Sequence, residues 1–155
     1  MAGAGKQVRL RVLGDVDLAT PTLQRMRTRL GGPATARDRA GAIVRLDDGP
    51  ATVLLYEEGG AAHLWAGEGT VRRVDRERVR PHDEPAPHDV LAIAVELRTF
   101  ASLRAGTRVT FGGPGGEAAE GTLVERCRLG GLVARDDGSV LGVGFRRLRA
   151  VAVGS

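Results

Sequence analysis

Residues 36–49 read ARDRAGAIVRLDDG, and residues 125–138 read ERCRLGGLVARDDG. Laid over one another, Arg37/Arg126, Arg39/Arg128, Gly41/Gly130, Val44/Val133, Asp47/Asp136, Asp48/Asp137 and Gly49/Gly138 are identical, and Ile43/Leu132 are alike. Self-similarity of this kind marks a duplicated structural unit. Each copy passes from two arginines through a short apolar stretch to Asp-Asp-Gly. Between apolar segments that tripeptide signals a tight turn, because Gly takes φ > 0 without steric cost. The expectation is one strand-and-turn unit copied once, with its Asp-Asp-Gly corners in matching places.

Outward from the first copy, hairpins follow one another. Strands are expected at 42–46, 52–56, 62–66 and 70–74, separated by turns at 47–50, 57–60 and 67–69. Short strands with turn signals every eight to twelve residues indicate a small barrel or sandwich. Upstream, Val-Arg-Leu-Arg-Val within 8–13 alternates as a half-buried strand does. Thr20-Pro21, the spacing of Leu23, Met26 and Leu30, and Gly31-Gly32 predict a helix over 21–30. The alternation of Arg25, Arg27 and Arg29 fits a strand there as well. Residues 81–89, PHDEPAPHD, carry three prolines and three acids and read as a linker. Val90, Ile93, Leu97 and Phe100 then share one helical face, which predicts a helix near 90–102, although Ile93, Val95 and Leu97 also alternate.

The second copy sits in a cleaner series. Strands are expected at 108–111, 122–127, 132–135 and 140–143, with a last one through Phe145 and Leu148 and a glycine-rich turn at 112–121. The run LRAGTRVTF, EGTLVERC, GLVARDDG, LGVGFRRL resembles the five short strands of an SH3-like barrel of the KOW, Tudor and PRC kind. The resemblance covers 103–150 and implies a binding module rather than a particular activity. Its first copy fits with one extra hairpin. Val71-Arg72-Arg73-Val74 lies 74 residues (145 − 71) before Phe145-Arg146-Arg147-Leu148, whereas the Asp-Asp-Gly turns lie 89 apart (136 − 47). The difference places an insertion at 51–68. The expected fold is mainly β: two tandem SH3-like barrels with one short helix before each. Barrel one spans 6–80, a linker 81–89, and helix plus barrel two 90–155.

Composition bounds the function. Aromatic residues make up only 3% of the 155 residues, so Val, Leu, Ile and Ala must fill the core. No stretch reaches the roughly 18 apolar residues that a membrane span requires. The start MAGAGKQ lacks a signal-peptide layout, and the lone Cys127 forms no internal disulfide, so a cytoplasmic home is expected. The formal charge is +4, and all but one of the 23 basic residues are Arg, a bias that a GC-rich bacterial genome produces unaided. Positive charge gathers at the ends: +5 over 1–40, −4 over 41–89 and +3 over 90–155.

Two candidate sites emerge. Arginines that recur at matching positions, Arg37/Arg39 with Arg126/Arg128 and Arg72/Arg73 with Arg146/Arg147, present planar forks that pair bidentately with phosphate oxygens. That pattern points to nucleic acid. With few aromatics to stack bases, duplex or structured RNA is the expected form. Equally, those arginines can solvate strand faces and pair with Asp47, Asp48, Asp136 and Asp137. The second site is the 51–68 hairpin, which holds the only Tyr and Trp: Tyr56, His63 and Trp65 are candidate contacts for a protein partner, with Trp65 as a core plug the competing reading. Asp-Asp-Gly reads as a turn rather than a metal ligand, and His82, Asp83, His88 and Asp89 match no zinc spacing. No nucleophile with its base, acid–base pair or cofactor fingerprint assembles, so a non-enzymatic module without cofactor or metal is expected.

Overall fold

The computed structural model describes residues 6–9, 15–16, 23–35, 38–67, 70–112 and 118–151. In chain order the elements are β1 (Lys6–Arg9), β2 (Asp15–Val16), α1 (Leu23–Arg29), β3 (Ala42–Leu46), β4 (Ala51–Glu58), β5 (Ala61–Trp65), β6 (Thr70–Asp75), a 3-10 turn (Arg76–Arg78), β7 (Val79–Pro81), α2 (His88–Ala101), β8 (Arg108–Gly112), β9 (Ala118–Arg126), β10 (Gly130–Ala134), β11 (Val140–Gly144) and β12 (Arg149–Ala150). The structure is mainly β, as the hairpin pattern predicts. The first residues of the predicted 21–30 helix, part of the 8–13 strand, and 113–117 of the glycine-rich turn lie outside the described residues.

Two compact units form, residues 1–10 with 35–99 and residues 11–34 with 100–155. The helices are thereby exchanged relative to the sequence expectation. Residues 23–29 of α1 fall in the second unit, and α2 through Thr99 falls in the first. The proline-rich stretch joins β7 to α2 inside the first unit rather than dividing the two.

Each unit holds one antiparallel sheet, ordered β1-β6-β5-β4-β3-β7 in the first and β12-β8-β9-β10-β11-β2 in the second. Both consist of a four-strand meander with a C-terminal strand on its first strand and an N-terminal strand on its fourth. Neither sheet closes on itself, so the expected closed barrels are replaced by open sheets. The would-be closing strands are short: β7 has three residues and ends in a proline that cannot donate to a ladder, and β12 has two.

The ladders of the two meanders match pair for pair, but in a register different from the one the Asp-Asp-Gly repeat implies. Gly41 and Gly106 both adopt positive φ (88° and 94°). Their N–H groups donate to the carbonyls of Leu54 and Leu123 at 2.9 and 2.7 Å. Leu54 pairs with Leu64 and Leu123 with Val133; one residue bulges, Leu55 or Val124; then Tyr56 faces His63 and Glu125 faces Leu132. Every pair between β5 and β6, from Ala61↔Asp75 to Trp65↔Val71, recurs between β10 and β11, from Gly130↔Gly144 to Ala134↔Val140. The offset is 65 residues at the first strand (106 − 41) and 69 from the second strand onward (123 − 54). The four extra residues (69 − 65) belong to the β8–β9 turn.

In this register the Asp-Asp-Gly corners are not equivalent. Residues 47–49 join the first and second strands of one meander, and 136–138 the third and fourth of the other. Their conformations differ too: Asp47 takes φ 52°, whereas in the second turn Gly138 carries the positive φ of 91°. The tripeptide is a generic turn former that satisfies two different corners. The expected 51–68 insertion disappears with the old register, because β4 and β5 are the counterparts of β9 and β10.

Apolar residues of the strands build the cores, and the central strands β4, β10 and β11 are each buried over four consecutive residues. In the first sheet Val44, Leu54, Ala62, Leu64 and Val74 form a buried cluster against Ala42, Leu46 and Val79. In the second, Val109, Phe111, Leu123, Val133, Leu141, Val143, Phe145 and Leu148 are buried.

Candidate functional site

The aromatic candidates lie together on one sheet face, because Tyr56 faces His63 across the β4–β5 ladder and Trp65 follows two residues on. Tyr56 and His63 stack with ring centroids 4.0 Å apart and planes 10° from parallel. Tyr56 is itself buried, and Trp65 is half-buried with its carbonyl accepting the Thr52 hydroxyl at 2.6 Å. The group is part of the sheet's packing on one side and reaches solvent through His63 and Trp65.

The arginine candidates are distributed differently from the sequence expectation. Arg37 lies outside the described residues. Arg72 and Arg73 are neighbours on β6 and therefore point to opposite faces. Arg146 and Arg147 belong to the turn before β12, so their counterparts are Glu77 and Arg78, not Arg72 and Arg73. Arg147 donates from Nη2 to the Gly112 carbonyl at 3.0 Å. Arg78 donates from Nη2 to Asp47 Oδ2 at 2.6 Å, and that bond holds the Asp47 carboxyl below its usual range. Asp47 and Gly112 occupy the same strand position, so this arginine is a recurrent clip from the closing turn to the first hairpin. Arg128 is likewise tied down, its Nη1 donating to the Gly31 carbonyl at 3.3 Å.

The true counterpart of Arg39 is Arg104. Both begin an Arg-Ala-Gly tripeptide, and the N–H of Ala42 or Thr107 donates to the Arg39 or Arg104 carbonyl at 3.2 and 3.1 Å. Across the sheet stands Glu57 in the first unit and Arg126 in the second, fixed by the pairs Glu57↔Ala62 and Arg126↔Gly131. Arg39 forms an ion pair with Glu57 at 3.4 Å, and Arg76 adds a second at 2.7 Å. The second unit places two arginines where the first places opposite charges.

Around that place the second unit gathers more arginine. Residues 30–34 run beside 126–129, with Arg128 N–H on the Gly32 carbonyl at 3.0 Å, Leu129 N–H on the Leu30 carbonyl at 2.8 Å, and a Pro33↔Cys127 bridge. This brings Arg27 of α1 to the end of β9, with Arg25 and Arg29 exposed on the same helix. Arg27 grips both Glu125 oxygens from Nε at 2.9 and 2.8 Å, a bond that raises the Arg27 pKa. Between 101–105 and 124–126 lies an open groove of about 520 Å³ lined by Arg104, Arg126, Ser102, Leu103, Val124 and Glu125 among others. Arg126 Nη1 donates to the Leu103 carbonyl at 3.3 Å, while its Nε is buried with no hydrogen-bond partner among the described residues.

Sequence reasoning reached Arg126 and Arg128 but missed Arg27, Arg104 and Glu125. The signal for Arg104 was present as the repeated Arg-Ala-Gly. Nothing local announces the Arg27–Glu125 pair, whose members stand 98 residues apart. Cys127 is fully buried, and burial above all pushes its thiol up to about 12, so it stays neutral at physiological pH. Among the described residues no three His, Cys, Asp or Glu side chains converge as a metal requires, and no helix is long and apolar enough to cross a membrane. No protein-family model matches the chain, and none of the curated proteins matches it.

Proposed function

We propose that this protein is a non-enzymatic nucleic-acid-binding module whose second unit carries the binding surface, with duplex or structured RNA as the ligand. One observation carries the reading: the partition of charge between the units. The second unit holds twelve basic residues, all arginine, against seven acidic (12 − 7 = +5). The first holds eleven against twelve (11 − 12 = −1). A domain with clustered arginine attracts the phosphate backbone through counterion release, without reading sequence. The scarcity of aromatic platforms favours a duplex or folded RNA over a single strand. The four-strand meander flanked by a further strand after a short turn supports the finer reading of each unit as an opened SH3-like fold.

The test reverses exposed arginines unit by unit. Arg25→Glu, Arg29→Glu and Arg104→Glu together should abolish mobility-shift of a duplex RNA at low salt. Arg73→Glu with Arg80→Glu, on the first unit, should leave it within about threefold. Equal losses from both sets, or no shift by the wild-type protein, would end the proposal. A protein-partner role for the Tyr56/His63/Trp65 face is the second reading, favoured by the exposure left to His63 and Trp65.

A further inference from the structure

The surface that the first unit covers is open in the second. At the bulge, Leu55 is fully buried, yet its counterpart Val124 is 50% exposed. Gly41 lies under α2, where an added Cβ would meet the Ala94 carbonyl at 3.1 Å and the Arg98 side chain, whereas its counterpart Gly106 has nothing within 4 Å. The uncovered region is continuous with the groove between 101–105 and 124–126. Its cationic wall is Arg104 and Arg126, at the positions where Arg39 and Glu57 neutralise each other in the first unit. Glu125, the one carboxylate lining the groove, is already held by Arg27.

We infer that this groove is a phosphate site that seats one sugar-phosphate unit of an RNA strand, the phosphate beside Arg104 and Arg126 and the sugar against Val124 and Leu103. The inference rests on the nucleic-acid reading and gives it a place and a chemistry. Two arginines lining one groove, neither of them in an ion pair among the described residues, favour an anion with several acceptor oxygens. The wall is preorganised: the Arg104 carbonyl accepts from the Thr107 hydroxyl at 2.6 Å and from its N–H at 3.1 Å, while the Gly106 N–H donates to the Leu123 carbonyl at 2.7 Å. The groove is open to solvent, and its floor is aliphatic rather than aromatic. It therefore suits the backbone of a nucleotide better than its base, so contact here is indifferent to sequence.

The first unit supplies the decisive variant. Arg126→Glu recreates the Arg39–Glu57 arrangement on a matching backbone, so the change should be tolerated by the fold, with Arg104→Ala and Val124→Glu as separate probes of exposed positions. Binding of a fluorescent duplex RNA by anisotropy over a salt series is the readout, with a thermal melt confirming each fold. Arg126→Glu should weaken binding by about tenfold or more, and Arg104→Ala should reduce the slope of log affinity against log salt by about 1. Adenosine 5′-monophosphate, added to labelled wild-type protein, should shift the backbone amides of 102–105 and 124–126. Folded Arg126→Glu and Arg104→Ala proteins that keep wild-type affinity and slope would overturn the groove while leaving the wider reading intact. A wild-type protein without salt-sensitive RNA binding would remove both.

Discussion

The two units share a backbone plan and differ in what they do with it. From Gly41 or Gly106, through the bulge at Leu55 or Val124, to the arginine clip of Arg78 or Arg147, the positions correspond except in the longer β8–β9 turn. On that common frame the first unit neutralises its charges, Arg39 with Glu57 and Arg78 with Asp47. In the second unit Arg147 donates to the Gly112 carbonyl, and Arg104 lines a groove with Arg126. Two units of one strand plan can thus keep their strand order while a few side chains differ in charge. Divergence lies in charge, not in strand order.

The equivalence of the frames can be broken most severely at the core. Leu54 and Leu123 are matched and almost fully buried, so Leu54→Ala and Leu123→Ala should each cost about 3 kcal/mol by chemical denaturation. A near-neutral result for either would mean that the matched register does not describe matched packing. Glycine sharpens the comparison next. Gly130 stands where the first unit has Ala61, but an added Cβ there would collide with the Val143 carbonyl, and Leu30 would lie only 2.7 Å away. Gly130→Ala should therefore destabilise by about 2–3 kcal/mol. Gly106→Ala meets no neighbour and strains only a positive φ, so about 1 kcal/mol is expected.

The smallest effect tests the Arg78 clip by pH. Arg78 holds the Asp47 carboxyl below its ordinary 3.8, so their pair adds stability above that value and loses it as pH falls through the lowered one. Melting temperatures should show the loss from Arg78→Ala fading in acid below pH about 4. A loss that persists unchanged in acid would refute the Arg78–Asp47 assignment.

Much of this molecule was legible in the sequence, and the failures have physical causes. The strand at 42–46 and the helices near 23–29 and 88–101 follow from apolar spacing and turn residues, which are local signals. The pairing register is not local. Asp-Asp-Gly was the loudest similarity, yet any hairpin corner can use it, so it aligned two corners that are not counterparts. The quieter matches, Arg39-Ala40-Gly41 with Arg104-Ala105-Gly106 and Val79-Arg80 with Leu148-Arg149, carried the actual repeat. A positive-φ glycine at a strand entry constrains the backbone more than a turn tripeptide does. The short closing strands were also misjudged, because a strand of two or three residues leaves no periodicity to count. The arginine surface of the second unit depends on 11–34 joining residues from the far end of the chain, an assignment that no local pattern encodes.

The most direct test of the charge partition is the salt dependence of wild-type binding to a duplex RNA, measured as log affinity against log salt concentration. Three or more phosphates engaged by the second unit predict a slope of about −2.7 or steeper. A flat line, or retention that survives high salt unchanged, would contradict the account.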